Sequence, residues 1–455
     1  MTSVLWLRRD LRRADHPALL AARDAAGGEL VVAYVIDPAL WAGAGAVRRA
    51  WLAAALEATR EEFDDGLTLL WGDPREVVPA LAKRVGATSV HVTRETTPFG
   101  RRRDETVASS LAAQGIEWVE TGTPYAVGPG LVQNLSGAPY KVFTPFAKAW
   151  RGHGWPDPAP RPSELPLRHV RNDAKATQAI EEALAAPDLP DLPAAGERAA
   201  MARWREFCET GLTAYATDRD LPATDGTSRL SPYLKLGVVH PRTLLADLAG
   251  RRGEGAQTYI NELGWREFYA DVLWHNPSSA WKDLRDPLAG MAYDEPADAI
   301  EAWQTGTTGY PIVDAGMRQL LAQGWMHNRV RMITASFLTK DLHVWWPVGA
   351  RHFLELLIDG DIASNNHGWQ WVAGTGTDAS PYFRVFNPVT QGEKFDVDGD
   401  YVREWVPELA HLAGKAAHQP WEHPDGYAHG YPQRIVDHAE ERREALRRLG
   451  ELKDS

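Results

Sequence analysis

The chain has 455 residues, 44% of them hydrophobic and 24% charged, a composition that excludes wholesale disorder and is long enough for two or three separately cored domains. One cysteine, Cys208, excludes an internal disulfide framework and a zinc site built from several thiolates, so no metal site is expected. The net charge of -12 weighs against a uniformly basic nucleic-acid binder, yet arginines cluster between positions 203 and 403, leaving room for a local basic face on an acidic molecule.

From the amino terminus, five short β-branched or apolar runs (Val4–Leu7, Leu30–Ile36, Leu67–Trp71, Ser89–Val92 and Ile116–Val119) alternate with helical periods. One such period is Pro74–Val85: Asp73 can cap it, Pro74 suits the first helical position, Glu76 completes a capping box, and Gly86 closes the end. This βαβ series predicts a doubly wound parallel sheet over residues 1–125. No G-x-G-x-x-G follows any of these strands, so no dinucleotide site is read there. Residues 126–197, rich in Pro, Gly and Ala, read as a long connector. Residues 198–455 change to a helical period, with segments near 198–209, 241–249, 256–275, 311–323, 327–341 and 347–358 and a charged, solvated helix at the end. Cys208 falls on the first of these, where a small buried apolar side chain is the expectation. The fold class is therefore α/β followed by all-α. The absence of a basic-then-apolar leader and of any run of eighteen apolar residues predicts a cytoplasmic protein with no membrane association.

Four clusters combine polar and aromatic groups. In Asn261–Tyr269, Glu262, Trp265 and Arg266 stand at i, i+3 and i+4 and share a helix face, which suits either a site or an internal ion pair. Asn328, Arg331 and Met332 repeat the spacing, with His327 as a capping or surface histidine. Asp359–Trp371 packs carboxylates, amides and aromatics into a stretch read as turn-rich, either a structural loop or a hard-cation site. Asp225–Pro232 places hydroxyls and backbone N–H groups at a helix start, which suits phosphate or simple capping.

Together these motifs resemble the photolyase and cryptochrome family, from Trp6–Arg12 to about Trp421. The most specific stretches are Asp225–Ser231, Thr308–Ala315, and Trp369–Trp371 through Gly374–Asp378. The resemblance implies an amino-terminal antenna domain and a carboxy-terminal helical domain that binds FAD. It assigns Tyr215, Thr227, Ser228, Arg229, Leu230 and Ser231 to the flavin phosphates and ribityl chain, and Asp359 and Asp361 to its ring and ribose side. Arg331 would pair with Asp359, and Asn365 would face flavin N5, with Glu262, Arg266 and Asn328 also lining the cofactor. The same resemblance gives Glu262, Trp265, Asn328, Met332 and Trp371 to a flipped-out cyclobutane pyrimidine dimer. Enzymes for the (6-4) lesion carry histidines where Asn328 and Met332 stand.

The implied activity is light-driven repair of pyrimidine dimers in DNA by electron transfer from reduced FAD, by a carbon-carbon lyase that acts as a monomer. A weakly stacked dimer is cheaper to extrude than a normal pair. The alternative within the family is a blue-light-sensing cryptochrome without repair. Trp369 and Trp346 match an electron relay whose third position falls on Tyr293, with Trp281 or Trp345 as other exits. Arg219, Arg266, Arg329, Arg384 and Lys394 are the candidate DNA phosphate contacts. Glu95, Gly100 and Lys235 resemble an 8-hydroxy-5-deazaflavin antenna site, methenyltetrahydrofolate being the alternative.

Overall fold

The structure, a computed structural model, describes residues 1–377 and 384–454; Asp378 of the last motif lies outside them. Five strands, β1 (Thr2–Leu7), β2 (Glu29–Ile36), β3 (Leu67–Trp71), β4 (Ala87–Val92) and β5 (Glu117–Glu120), pair in parallel in the order β3-β2-β1-β4-β5. Each predicted run overlaps one strand. The first two runs are nearly continuous in apolar character because β1 is buried along its whole length and β2 nearly so, as in the middle of a parallel sheet, while β5 is exposed at both ends.

The helix Pro74–Val85 starts and ends where expected, with Gly86 in the left-handed region at φ 65°. Its cap differs in detail. The Asp73 carboxylate accepts from the Arg75 backbone N–H and guanidinium, and the Glu76 N–H, which a capping box would give to that side chain, goes to the Asp73 carbonyl. The predicted connector also contains two helices, Phe143–His153 and Ala174–Leu184. In the first, Phe143, Phe146, Ala147 and Trp150 stand at i, i+3, i+4 and i+7 and are buried, an amphipathic period masked by the surrounding prolines and glycines.

The chain packs as two units. The first, Met1–Thr210 with Ser228–Pro277, holds the sheet together with the helices Glu197–Thr210, Ser231–Leu236, Pro241–Asp247 and Glu254–His275. Packing thus groups these helices with the sheet, although their sequence period is that of the carboxy-terminal half. Glu267 shows why. Buried at 2% exposure, it accepts the backbone N–H groups of Ala126, Val127 and Gly128 and the Trp150 indole, fastening the helix to the segment after β5.

The second unit, Gly211–Thr227 with the described residues from Ser278 onward, is helical and is built on one apolar core that includes Trp303, Tyr310, Leu320, Val330, Trp346 and Trp369. In it the Thr308–Ala315 motif is a turn organised by one carboxylate. Asp314 accepts from the Thr308 N–H and hydroxyl, the Gly309 N–H and the Tyr431 hydroxyl, and burial pushes its carboxyl up to about 6 against those bonds. Among the described residues no helix is long and apolar enough to cross a membrane.

Candidate functional site

In the first unit, the Ser228–Ser231 turn is held from below. The Ser228 hydroxyl lies 2.9 Å from the Tyr259 hydroxyl and accepts the Leu230 N–H, while Arg203 donates to the Ser228 carbonyl. Arg229 adopts φ 50°, a left-handed conformation that costs a non-glycine residue about 1 kcal/mol or more and concentrates at ligand-binding turns. Ser231 opens the helix Ser231–Leu236. Tyr259 was not singled out from the sequence. Its only signal there is its place one helical turn before Glu262.

On the helix Glu254–His275 the half-exposed positions include Glu262, Trp265, Arg266 and Tyr269, while Leu263, Gly264, Glu267 and Phe268 are buried. The expected common face is therefore present, but its members diverge. The half-exposed Trp265 ring lies flat on Phe143, centroids 3.7 Å apart at 11°, and also meets Tyr269 at 5.4 Å and the edge of Phe268 at 5.7 Å. Arg266 donates to the Pro124 and Leu234 carbonyls and sits over the Tyr125 ring at 4.5 Å, so it forms no ion pair with Glu262.

In the second unit, the segment read as turn-rich is a helix. The Asp361 carboxylate accepts the N–H groups of Ala363 and Ser364 and so caps Ile362–Ala373, which carries Asn365, Trp369 and Trp371. Asp359 is bound bidentately by Arg331, at 3.1 and 2.8 Å, and Arg331 also donates to the Met326 carbonyl. With one carboxylate capping and the other paired to a guanidinium, the hard-cation reading does not hold. Arg331 is placed by the helix Asn328–Ser336, capped by His327, whose ring accepts the Arg329 N–H. Asn328 is exposed and Met332 half-buried on that helix, one turn apart.

Asn365 is oriented by its neighbours. Its Nδ2 donates to the Ala350 carbonyl at 3.1 Å and to Asn366 Oδ1 at 2.8 Å. A carbonyl can only accept, so the amide cannot be turned round, and Oδ1 is the group left to accept from a ligand.

The expected relay residues lie within the second unit. Trp369 and Trp346 are 3% and 1% exposed, and a Cβ on Gly349 would stand 2.2 Å from the Trp369 ring, so only glycine admits that ring against the helix Trp346–Leu356. Tyr293 is half-exposed. Of the candidate phosphate contacts, Arg384 and Lys394 are exposed, Arg219 lies over the buried Tyr215 ring, and Arg329 pairs with Asp220 at 2.8 Å and covers Phe395. Near the sheet, Glu95 is tied to Arg9 at 3.0 Å; burial alone would raise its carboxyl, but Arg9, Arg103 and Arg8 hold it at about 2. A Cβ on Gly100 would fall 2.2 Å from Glu95 Cγ, so the pair is one packed unit, and Lys235 stands half-buried on Ser231–Leu236. Cys208 is also half-buried, more open than expected.

Comparison with known proteins defines first a class. Residues 259–451 match the FAD-binding domain of DNA photolyase, and residues 3–163 match the DNA photolyase family model, so the chain is a flavoprotein of α/β plus helical type. It is 40% identical, over 98% of both chains, to the deoxyribodipyrimidine photo-lyase of Vibrio cholerae. Two solved structures are similar: a class III photolyase from Agrobacterium tumefaciens, with TM-score 0.92 and 36% identity over 100% of this chain and 98% of that one, and a cryptochrome from Synechocystis, with TM-score 0.88 and 27% identity over 98% of each. The chain belongs to the DNA photolyase family.

Proposed function

We propose that this protein repairs cyclobutane pyrimidine dimers in DNA in a light-driven reaction that depends on FAD. The observation that carries the reading is the near-complete, 40% identical match to a deoxyribodipyrimidine photo-lyase. When bound and reduced, FAD supplies a light-excited one-electron donor, and the electron is taken back once the cyclobutane ring has opened.

The remaining chemistry belongs to the chain. Arg331 and Asp359 form a fixed ion pair that would hold the flavin ring side, and Asn365 Oδ1 would accept a hydrogen bond from N5–H and so favour the reduced form. Tyr215 and Thr227–Ser231 hold the phosphates and ribityl chain, the strained turn at Arg229 presenting backbone N–H groups. Glu262 and Asn328 hydrogen-bond the edges of the extruded bases, Trp265 and Trp371 offer flat apolar faces, and Met332 fills the remaining apolar surface. Stacking of this kind contributes roughly 1–3 kcal/mol per base. No side chain acts as a nucleophile: these residues orient the dimer and exclude water.

Arg219, Arg384 and Lys394 contact the flanking phosphates; Arg266 and Arg329, with internal partners, contribute less than their charge suggests. The antenna is 8-hydroxy-5-deazaflavin, supported by the resemblance at Glu95, Gly100 and Lys235, with methenyltetrahydrofolate the alternative. The protein acts as a monomer in the cytoplasm.

The test mixes purified protein with a dimer-containing oligonucleotide and measures lesion loss in blue light and in darkness, the absorption spectrum identifying the antenna. Loss only in light supports repair. No loss in either supports the second reading, a light-sensing cryptochrome, which the similarity to the Synechocystis structure favours. Unchanged repair per absorbed photon in both Glu262→Ala and Asn328→Ala would remove the lesion assignment.

A further inference from the structure

The second unit places one of the two other exits, Trp345, directly beside a relay residue. Trp345 precedes Trp346 at the start of the helix Trp346–Leu356, their ring centroids 6.4 Å apart at 67°. Trp345 is 37% exposed, whereas Trp346 is 1% exposed. We propose that electrons enter the relay from solvent through Trp345, so that the oxidised end of the chain is Trp345 and not Tyr293. This inference rests on the reading of Trp369 and Trp346 as relay residues.

Each step moves one electron. An electron from Trp346 fills the vacancy on Trp369, and one from Trp345 fills Trp346, with no bond broken in either ring; a small-molecule thiol in solution then gives one electron to Trp345 and its proton to water, and two of the resulting thiyl radicals combine to the disulfide after two turnovers. Two observations favour this order, and a third opposes it weakly. The Trp346 N–H donates to the Asp283 carboxylate at 2.6 Å, and a carboxylate so close stabilises positive charge on a ring that water does not reach. At Trp345 water itself solvates the cation and admits the thiol. The positive end of the short helix beneath Trp345 opposes a cation there, but water screens it at an exposed position.

The competing exits are each disfavoured. Tyr293 must lose a proton when oxidised, and burial, then the Asp283 charge, push its phenol upward, holding the proton more tightly. Trp281 is 36% exposed, but the Arg351 guanidinium lies 5.0 Å from its ring centroid, and a cation there raises the cost of removing an electron.

The experiment uses the flavin-loaded full-length chain, and compares Trp345→Phe, Tyr293→Phe and Trp346→Phe by flash transient absorption and by steady-state photoreduction with an added thiol. Trp345→Phe is expected to slow thiol-dependent photoreduction by about tenfold or more. It should also make the lifetime of the tryptophan radical insensitive to thiol concentration, and Tyr293→Phe should have a much smaller effect. Denaturant unfolding of Trp345→Phe at the wild-type midpoint shows that the fold is intact. If Trp346→Phe blocks photoreduction while Trp345→Phe does not, or if Tyr293→Phe is the variant that blocks it, the Trp345 exit is wrong. If Trp346→Phe photoreduces like wild type, the relay reading itself is wrong.

Discussion

Asn365 donates a hydrogen bond to Asn366 across 2.8 Å, and Asn366 in turn donates to the Ala280 carbonyl, so the orientation of both amides follows from two carbonyls, those of Ala280 and Ala350, that can only accept. The consequence is an acceptor presented by Asn365. Replacing it in Asn365→Ala is expected to weaken the reduced flavin relative to the oxidised form. Spectroelectrochemical titration should show a lower midpoint potential, and an unchanged midpoint would separate Asn365 from the N5 proton.

Arg331→Ala leaves the Asp359 side chain, 3% exposed, without its guanidinium. Breaking such a pair costs about 3 kcal/mol, the lower part of the usual range because the Arg331 side chain is itself 24% exposed. Urea unfolding of the flavin-free chain measures this. Arg331→Lys keeps the charge but loses the two-pronged geometry, and should recover only part of the stability.

The Asp314 carboxyl, raised to about 6 by burial, should give the protein a pH-dependent stability. A raised carboxyl holds its proton in the folded state after the unfolded chain has released it, so its stabilising contribution is complete below about pH 4 and is lost as pH rises through about 6. Asp341, also raised to about 6 by burial against its bond to His438, acts in the same direction. His240, His352 and His367, held at about 4 by burial, give the opposite slope between about pH 4 and 6.5, so the Asp314 contribution is read by difference: denaturant unfolding from pH 4 to 7 should show the stability of wild type relative to Asp314→Asn falling across this window.

Glu267→Gln retains the shape but turns one acceptor into a donor facing backbone N–H groups. Three of these and the Trp150 indole now share the carboxylate. A destabilisation of about 1–3 kcal/mol is expected from the donors left unmatched. Thermal unfolding checks it, and a wild-type melting temperature would show that the carboxylate is dispensable.

Trp265 is covered on one face by Phe143, so Trp265→Ala removes both a ligand surface and a packing partner. Affinity for dimer-containing DNA should fall by roughly 1–3 kcal/mol. Phe143→Leu, which preserves bulk beneath the indole, should lose less. Equal losses for damaged and undamaged DNA would assign Trp265 to general binding.

Much of this protein was legible in one dimension because its signals are local. The two central β runs are almost wholly apolar because the middle of a parallel sheet is covered on both sides, whereas the edge strand β5 carries charge and is exposed at its ends; the helical spacings of Glu262 with Trp265 and of Asn328 with Met332 follow from 3.6 residues per turn. The motif around Thr308–Ala315 announced itself as a pattern, although its physical content, one buried carboxylate gathering a turn, did not. The helices Phe143–His153 and Ala174–Leu184 were obscured by flanking prolines and glycines, and the helix after Asp361 by a polar composition that resembles a loop until its cap is seen. Sequence periodicity settled which faces exist. Only the tertiary structure decided where each polar atom points: that Arg266 turns to backbone carbonyls, that Asn365 offers an oxygen, and that Trp345 touches Trp346 while meeting water. The first two depend on backbone carbonyls supplied by residues distant in the chain, and the exposure of Trp345 on how the surrounding elements pack, neither of which a local pattern encodes.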